Sequence, residues 1–382
     1  MNGSGAPRIC IVPQVTGLGG MVSFRHKMIA GMKDRNIETA VDLLDTPYQA
    51  VLVIGGTRNL AGLWRARRRG IPIVQRLDGM NWLHRLPQNT QSKNLSRGRV
   101  RHFFRAEYGN LILRIIRSRL ADRLVYQSKF VQDWWERKYG AVNNSSAVIY
   151  NGVDLDLYTF QGIEAPPEDR WRILMVEGSL MGGYEQGLEV AVLLVEKLVN
   201  YLPGYGEGHP STGEVKFSNR QLEMIRKVEL MVVGKAEEAL RKECLSRLAS
   251  DGCSSRVSLT WEGQVPGTRI PNLGRSSHFL YSADINAACP NSVIEALACG
   301  LPVLSFDTGA LSELVSAGAG RVVPYGGDPW RLDPPDVDSL AEAAWEILGD
   351  QERFRKAARA LAESKFSLES MVDSYLKVLL GQ

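Results

Sequence analysis

The stretch CPNSVIEALACGLPVLSFDTGALSELV, residues 289–315, contains a helix, a strand, a glycine turn and a second helix. VIEALACG has the apolar spacing of a short helix, and LPVLSF is an apolar run typical of a strand that is buried on both faces. DTGA is a glycine turn that leads directly into LSELV. Strands that alternate with helices in this way build parallel sheets covered by helices. The stretch therefore predicts an α/β fold.

The same unit begins each half of the chain. RICIVP leads through the glycine turn QVTGLGG into the helical pattern MVSFRHKMIAGMKDRN, and WRILMVEG leads through SLMGGYEQG into LEVAVLLVEKLVNYL. Helices between short apolar runs imply right-handed crossovers and a parallel sheet. The predicted strands are RICIVP, ETAVDLL, AVLVIGG, PIVQRLD, DRLVYQS and SAVIYNG in the first half, and WRILMVEG, VELMVVG, VSLTWEG, HFLYSADI, LPVLSF and GRVVP in the second.

The length of 382 residues exceeds what one hydrophobic core usually holds, so we expect two domains. The restart of the pattern predicts a Rossmann-like domain at 1–160 and another at 161–365, facing across a cleft. The last segment, 366–382, is predicted to be a helix that packs back towards the first domain. Residues 203–220 lack periodicity and predict a surface insertion.

Composition excludes several classes of protein. No apolar run approaches the roughly 20 residues of a membrane-spanning helix. The first residues lack the regions of a secretory signal, which predicts a cytoplasmic chain. The five cysteines are scattered without a C-x-x-C pair, which argues against a metal knuckle or a disulfide framework. Cys10 and Cys299 are expected to be small core residues.

Positive charge is concentrated in the first half of the chain. Residues 58–138 contain 19 Lys or Arg and 5 Asp or Glu, a net +14, so the rest of the chain carries −10 of the total +4. Such polarity predicts that one face of this half meets something anionic. A nucleic acid would require a recognisable reading module, and none is present.

The basic segment SRGRVRHFFRAEYGNLILRIIRSRLADR mixes arginines with large apolar residues, and two interpretations of it are open. With WRARRRG, it could rest on anionic lipid headgroups at the inner membrane face, where each surface cation contributes about 1 kcal/mol. Alternatively, it is an amphipathic helix whose apolar stripe lies in the core. The residues concerned are Arg97, Arg99, Arg101, Arg105, Arg114, Arg117 and Arg119, with Phe103, Phe104, Ile112, Ile115 and Ile116.

The start of the helix in 289–315 is a candidate anion site. Pro290 fixes the entry of the chain, and Asn291 or Ser292 can cap the helix. Unpaired amides and the helix dipole favour a negative group there. Glu295, one turn further on, could accept hydrogen bonds from vicinal hydroxyls. Alternatively, it only complements the helix N-terminus, a contribution of about 0.3–1 kcal/mol.

Glu295 to Val315, EALACGLPVLSFDTGALSELV, resembles the donor-binding pattern of the retaining family-4 glycosyltransferases, which reads roughly E-x(7)-E-A-x-A-x-G-x-P-V followed by a glycine turn. YNGVD at 150–154 is similar to the Asn-Gly-Val-Asp of that family's inter-domain linker. QVTGLGGMVSF and VYQSKFVQDWWERKYG resemble parts of its first domain. The resemblance spans nearly the full chain.

The resemblance implies the GT-B fold, with the acceptor in the first domain and a nucleotide sugar in the second. It also implies a metal-independent hexosyltransferase with no cofactor, acting with retention, often in cell-surface polysaccharide or glycolipid assembly. In the family, the residue at the position of Glu295 contacts the donor ribose. Amides around Asn291 and Ser292 would hold the diphosphate or the sugar.

Two departures from the family pattern concern the donor. Ala287 stands eight positions before Glu295, where the family usually has an acidic residue that touches the transferred sugar. Ser179 stands where an arginine of the diphosphate clamp is common, and the turn contains no lysine. Amides at Gly178, Gly182 and Gly183 could replace these cations as a nest. Lys235 is another candidate cation, or else a solvated surface lysine.

In the first domain, the candidates follow predicted strands. Gly19 and Gly20 in GLGGMV match only part of a dinucleotide fingerprint, and they either approach a phosphate or simply form a tight turn. Asp78 comes at the carboxyl end of PIVQRLD, after Arg76. Asp78 could orient an acceptor hydroxyl or act as a base, or it could cap a turn.

The sequence leaves three other functions open. The departures at Ala287 and Ser179 would suit a protein that binds a sugar nucleotide without transferring the sugar. An epimerase of the same fold would need acid and base groups beside Glu295. A nicotinamide dehydrogenase is disfavoured by the incomplete glycine fingerprint.

Overall fold

The computed structural model describes residues 6–17, 19–86, 99–180, 185–202, 217, 223–250 and 255–381. The chain forms two compact units: Met1–Gly152 with Phe366–Gln382, and Val153–Lys365. The division falls within YNGVD, between Gly152 and Val153. We call these the first and the second unit.

The first unit contains a six-stranded parallel sheet of order β2-β1-β3-β4-β5-β6. Its strands are β1 Arg8–Val12, β2 Glu38–Ala40, β3 Ala50–Ile54, β4 Ile73–Leu77, β5 Arg123–Tyr126 and β6 Ser145–Val148. Its helices are α1 Gly20–Lys33, α2 Leu60–Arg68, α3 Arg99–Ile115 and α4 Lys129–Tyr139; Leu83–Arg85 forms a 3₁₀ turn and Ile116–Leu120 a π-helical turn.

The second unit contains another six-stranded parallel sheet, of order β12-β11-β10-β7-β8-β9. Its strands are β7 Arg170–Ser179, β8 Lys227–Lys235, β9 Val257–Gly263, β10 Phe279–Tyr281, β11 Val303–Phe306 and β12 Gly320–Val323. Its helices are α5 Gln186–Val199, α6 Glu238–Ser250, α7 Ile270–Arg275, α8 Asn291–Ala298, α9 Leu311–Leu314, α10 Val337–Gly349 and α11 Gln351–Lys365; Gly267–Arg269 is a 3₁₀ turn. The last helix, α12 Leu368–Leu380, belongs to the first unit.

All twelve predicted strands are present, which confirms the predicted fold of two parallel sheets with flanking helices. Two strands have only three residues each, although the runs that predict them are seven and eight residues long. ETAVDLL forms a strand only at Glu38–Ala40, and HFLYSADI only at Phe279–Tyr281. In HFLYSADI, the chain leaves the sheet after Tyr281, so the polar end of the run becomes a loop at the carboxyl edge.

Each unit has its own hydrophobic core. In the first unit, α12 packs on α1 so closely that a Cβ on Gly31 would lie 2.6 Å from a methyl of Val372. Phe24 and Tyr375 pack with ring centroids 5.1 Å apart. In the second unit, α5 and α10 cover the sheet with residues such as Leu194 and Trp345. Phe217, within the predicted surface insertion, is half-buried with its ring centroid 4.4 Å from that of Trp345; the other residues of 203–220 lie outside the described part of the chain.

Cys10 and Cys299 are buried in the cores, as predicted. Burial raises the pKa of each thiol to about 12, so both are unreactive thiols at neutral pH. Within the described ranges, no helix is both long enough and apolar enough to span a membrane, and no three His, Cys, Asp or Glu side chains are grouped as metal ligands would be.

Candidate functional site

The topology of the second unit defines one favoured place for a ligand. The strand order reverses between β10 and β7, so the connections after these two neighbouring strands leave the sheet in opposite directions. In open parallel sheets, ligands bind beyond the carboxyl ends of the strands at such a point. Here Glu177, Gly178 and Ser179 end β7, and residues 282–290 follow β10.

Glu177 and Asp284 flank this point as an interacting pair of carboxyl groups. Burial raises the pKa of Asp284 to about 6. Burial, and then the negative charge of Asp284, raise the pKa of Glu177 well above its usual range. Two carboxyl groups that interact in a poorly solvated place tend to share a proton. Neither residue is among those predicted from the sequence, although an acidic residue directly after an apolar strand run was the available signal.

The loop after β10 is held in place by the glycine turn that follows β11. The amide of Ala310 donates to the carbonyl of Ala287 at 2.9 Å. Gly309 has φ +62°, and a Cβ there would lie 2.4 Å from the backbone nitrogen of Ala287. The Thr308 hydroxyl oxygen lies 3.4 Å from both the Asn286 amide and the Asp284 carbonyl. The turn DTGA therefore fixes the loop that carries Asp284 and Ala287.

Helix α8 begins directly after Pro290, which is the N-cap residue. Asn291 and Ser292 lie in the first turn and no side chain caps the helix, so the prediction that Asn291 or Ser292 caps it is wrong. The first amides of a helix have no partner within the helix itself. Asn291 and Ser292 are half-buried on this turn. The arrangement is suitable for an anionic group, which is the role that the sequence predicts for this turn.

Glu295 is half-buried, and its carboxylate accepts a hydrogen bond from the hydroxyl of Tyr158. The same hydroxyl lies 3.4 Å from the carbonyl oxygen of Gly267, so its single proton serves one acceptor at a time. Burial, and then the charge of Glu295, raise the pKa of Tyr158. Arg359 on α11 donates to the carbonyls of Tyr158 and Ala298 at 2.8 and 2.7 Å, and thereby holds the tyrosine segment against the end of α8.

The other predicted donor residues are only partly described. Gly178 is exposed, and a Cβ there would meet no described atom within 4 Å. Lys235 is exposed at the end of β8, opposite Ser179 in the register, and its carbonyl accepts from the Leu180 amide. Gly182 and Gly183 lie outside the described residues.

In the first unit, the glycine loop after β1 leads into α1. Gly19 has φ +131° and Gly17 φ +97°, values that favour glycine, and added Cβ atoms would meet no described atom within 4 Å. Gly20 is exposed and begins α1. The loop lies at the carboxyl edge beside the reversal between β1 and β3. The path of the backbone therefore requires glycine at Gly17 and Gly19 but not at Gly20, and the space around all three is open in the described structure.

Asp78 follows β4 and is held by its neighbours. Arg76, only 1% exposed, donates to its carboxylate at 2.5 Å. The Gln127 amide also donates to this carboxylate, and the Asp78 carbonyl accepts from the Trp135 indole at 2.9 Å. Arg76 donates further to the side chain of Asn151 at 3.0 Å, so it joins the end of β4 to YNGVD.

Comparisons with known proteins agree with this architecture. Two family models match the sequence, Glycosyltransferase Family 4 over residues 35–157 and Glycosyl transferases group 1 over residues 210–350. A comparison with curated protein sequences finds no significant match.

Solved structures of low sequence identity share the fold over nearly the whole chain. Sucrose-phosphate synthase from Thermosynechococcus elongatus has a TM-score of 0.63 at 14% identity, covering 99% of this chain and 100% of that chain. HepE of Anabaena, solved with UDP-glucose, has a TM-score of 0.60 at 16% identity, covering 98% and 100%. WaaG, a glycosyltransferase involved in lipopolysaccharide biosynthesis, has a TM-score of 0.61 at 12% identity, covering 98% and 100%.

The two parallel sheets and the matched family models define a glycosyltransferase of the GT-B type. One family model matches in each half of the chain, and together they confirm the resemblance to the family-4 glycosyltransferases. The site residues Tyr158, Glu177 and Asp284 were not identified from the sequence.

Proposed function

We propose that the protein transfers a hexosyl group from a nucleotide sugar to a saccharide or lipid-linked acceptor, with retention of configuration, in the assembly of a cell-surface polysaccharide or glycolipid. One observation carries the proposal. The N-terminus of α8 and the Glu295 carboxylate lie at the carboxyl edge of β7 and β10, which is the favoured ligand position in a parallel sheet of this order. The family model of the group 1 glycosyltransferases covers this part of the chain.

In this proposal, the donor binds to the second unit. Glu295 accepts hydrogen bonds from the two ribose hydroxyls, and the Tyr158 hydroxyl orients its carboxylate. Amides at Asn291 and Ser292, together with the backbone at Gly178, bind the diphosphate. Lys235 adds a cation. UDP is the favoured nucleotide, because HepE, which shares the fold, was solved with UDP-glucose.

The first unit contributes the acceptor side in this proposal. Catalysis rests on positioning and on amide stabilisation of the leaving diphosphate, without metal or cofactor. Asp78 orients the acceptor hydroxyl. Its hydrogen bonds from Arg76 and Gln127 fix the direction of the carboxylate, which a residue in this role requires.

The donor is tested by thermal melting of the purified protein with UDP-, GDP- and ADP-sugars. A ligand at about 100 times its dissociation constant is expected to stabilise the chain by roughly 2.7 kcal/mol. We expect UDP-sugars to raise the melting temperature of the wild type, and Glu295→Ala to remove the shift. Glu352→Gln, an exposed carboxylate on α11, is the matched control and should retain it. Absence of any shift would contradict the proposal, and a shift without turnover across an acceptor panel would favour a protein that only binds the donor.

We propose further that the enzyme acts at the cytoplasmic face of an anionic membrane, through α3. Val100, Phe104, Tyr108 and Leu111 recur at the spacing of one helix face, and they are 66, 67, 51 and 47% exposed. Of the apolar residues in the predicted segment, Phe103 and Phe104 are 40 and 67% exposed, so the interpretation that places the whole apolar stripe in the core is wrong for these two. Ile112 and Ile116, in contrast, are buried. The helix thus presents one apolar face to the core and another to solvent.

Cations surround this exposed stripe. Arg101 and Arg105 are exposed on α3, and the Arg58 guanidinium lies 6.0 Å from the ring centroid of Tyr108. Helix α2 contacts the π-helical turn after α3, where Arg67 donates a hydrogen bond to the Arg119 carbonyl. This helix adds the exposed Trp64 and further arginines to the same surface. Of the other arginines in the predicted segment, Arg114 and Arg119 are exposed and Arg117 is buried; Arg97 and the side chain of Arg99 lie outside the described part.

Membrane contact is tested by sedimentation with vesicles of phosphatidylglycerol and phosphatidylcholine. We expect binding to the anionic vesicles, weak binding to pure phosphatidylcholine, and a decrease with salt. Leu111→Ser should weaken binding about tenfold, because a leucine side chain contributes about 1.5–3 kcal/mol on burial. Leu245→Ser makes the same change in the second unit at a similar exposure, 49%, and should have no effect. Equal effects of the two variants, or a dimer that Leu111→Ser abolishes without any vesicle binding, would contradict the proposal.

A further inference from the structure

Three cations from three different elements lie close together on the first unit. Arg85 is in the 3₁₀ turn that follows β4, Arg114 is near the end of α3, and Lys138 is in the last turn of α4. The Arg114 guanidinium and the Lys138 ammonium lie 5.1 and 6.0 Å from the ring centroid of Tyr139. Partial burial, and then the positive charge of Arg85, lower the pKa of Lys138, so Arg85 also acts on this place. We call Arg85, Arg114 and Lys138 the α3–α4 cation patch.

The charge of this patch is not neutralised by the described residues. Arg114 and Lys138 are exposed, and neither forms an ion pair with a described side chain. The Glu107 carboxylate lies beside the patch, but it already accepts a hydrogen bond from Arg85 at 2.6 Å and contacts Nε2 of His84 at 2.8 Å. Cations that are held close together repel one another, so an anion that contacts several of them is favoured. The patch therefore suits a small group with more than one negative oxygen, such as a phosphate.

The patch adjoins the loop that carries Asp78. Trp135 on α4 donates its indole N–H to the Asp78 carbonyl at 2.9 Å, and a Cβ on Gly79 would lie 2.9 Å from the ring of Trp134. Lys138 is three residues beyond Trp135, about 4.5 Å along the helix axis, and it shares a helix face with Trp134, four positions before it. The patch therefore lies close to the residue that is proposed to orient the acceptor hydroxyl.

The patch also borders the exposed apolar stripe of α3, whose last residue is Leu111. Arg114 follows Leu111 by three positions, and residues three apart are neighbours on a helix surface. An apolar surface, a set of cations and the Asp78 carboxylate therefore adjoin one another in that order. A saccharide that is joined to a lipid chain through a phosphate presents its groups in the same order.

We propose that the α3–α4 cation patch binds the phosphate of a lipid-linked acceptor, with the acceptor saccharide at Asp78 and the lipid chain along the stripe of α3. The proposal rests on the proposed function and selects one of its acceptors, a phosphate-linked glycolipid, over a free saccharide. The planar guanidinium groups of Arg85 and Arg114 can each donate two hydrogen bonds to phosphate oxygens, and Lys138 adds a point charge.

The test uses soluble short-chain probes and the full chain, so that no membrane is required. One probe is an octyl glycoside, and its partner is the hexose 1-(octyl phosphate), which differs only by the phosphate; both are made from glucose, galactose and mannose. Dihexanoyl phosphatidylglycerol has a phosphate and lipid chains but no saccharide. In titration calorimetry, we expect the wild type to bind at least one hexose phosphate about 10- to 30-fold more tightly than its glycoside, and more tightly than the phosphatidylglycerol.

Two double variants separate the patch from general surface charge. Arg114→Gln combined with Lys138→Gln should reduce the advantage of the hexose phosphate to less than about threefold and leave the octyl glycoside unchanged. The control, Arg226→Gln combined with Lys227→Gln, removes one exposed arginine and one exposed lysine at the amino end of β8 in the second unit, and should keep the full advantage. Asp78→Asn should weaken the hexose phosphate but not the phosphatidylglycerol, because only the saccharide reaches Asp78.

The inference is wrong if the wild type binds no hexose phosphate better than its glycoside, or if the two double variants behave alike. If phosphatidylglycerol binds as tightly as the hexose phosphates, the patch serves lipid headgroups and the inference is again wrong. In each case, a UDP-sugar that raises the melting temperature of the wild type leaves the proposed function standing. Without such a shift, the proposed function is wrong as well.

Discussion

Arg76→Leu is expected to lower the free energy of unfolding by about 2–4 kcal/mol, because it removes the buried member of an ion pair whose other member, Asp78, is 29% exposed. Arg76 is 1% exposed, donates to Asp78 and Asn151 at 2.5 and 3.0 Å, and lies over the ring of Phe24 at 4.0 Å. Leucine would leave the Asn151 oxygen buried without its donor and would release the Asp78 carboxylate. Urea unfolding of the full chain measures the effect.

The control is an ion pair on the surface of the same unit. Arg35 pairs with Asp373 at 2.7 Å, but the Asp373 side chain is largely in solvent. Arg35→Leu should therefore cost no more than about 1 kcal/mol. If the two leucine variants were equally destabilised, the Arg76 network would have no special role in the stability of the unit. Arg76→Lys should lie between them, since a lysine cannot reproduce the two-partner geometry of the guanidinium.

Gly309→Ala is expected to cost about 2–5 kcal/mol and to abolish most donor binding. The residue has φ +62°, and a Cβ would lie 2.4 and 2.5 Å from the backbone nitrogen and oxygen of Ala287. A left-handed backbone costs a non-glycine residue about 1–2 kcal/mol, and overpacking adds about 1–3 kcal/mol. The loop must move to relieve the contact, and Asp284 moves with it.

Gly318→Ala separates the two contributions. Gly318 has φ +75°, but a Cβ there would meet no described atom within 4 Å, so only the backbone cost applies. We expect this variant to lose about 1–2 kcal/mol in thermal melting and to bind a UDP-sugar normally. Equal donor binding by the Gly309 and Gly318 variants would show that contact with the DTGA turn does not position the loop after β10.

The hydrogen bonds of Arg76 and the close backbone contact at Gly309 act on opposite sides of the proposed reaction, the acceptor side and the donor side. Arg76 fixes the direction of Asp78 in the first unit, whereas Gly309 fixes the loop of Asp284 in the second. Neither Arg76 nor Gly309 is proposed to contact a substrate. Each instead holds part of a proposed site in place: Arg76 holds Asp78, and Gly309 holds the loop that leads from β10 into α8. Kinetic losses in both variants should therefore accompany losses of stability.

The sequence by itself determined the strands, the glycine turns and the presence of the short helix α8. These features depend on neighbouring residues: a run of Val, Ile and Leu fits a strand buried on both faces, and Gly309 is required by the backbone of one turn. The motif around Glu295 lies within one continuous stretch, so its family could be identified without tertiary structure.

Only the tertiary structure decided which distant side chains meet. Arg76 reaches Asn151 across 75 residues of sequence. The charge of Asp284 acts on Glu177 because β7 and β10 are neighbours in the sheet although far apart in the chain. The exposed stripe of α3 likewise could not be predicted from the sequence. The spacing of Phe104 and Leu111 is the same whether that face of the helix meets the core or water. Periodicity specifies which residues share a face, but burial depends on what packs against it.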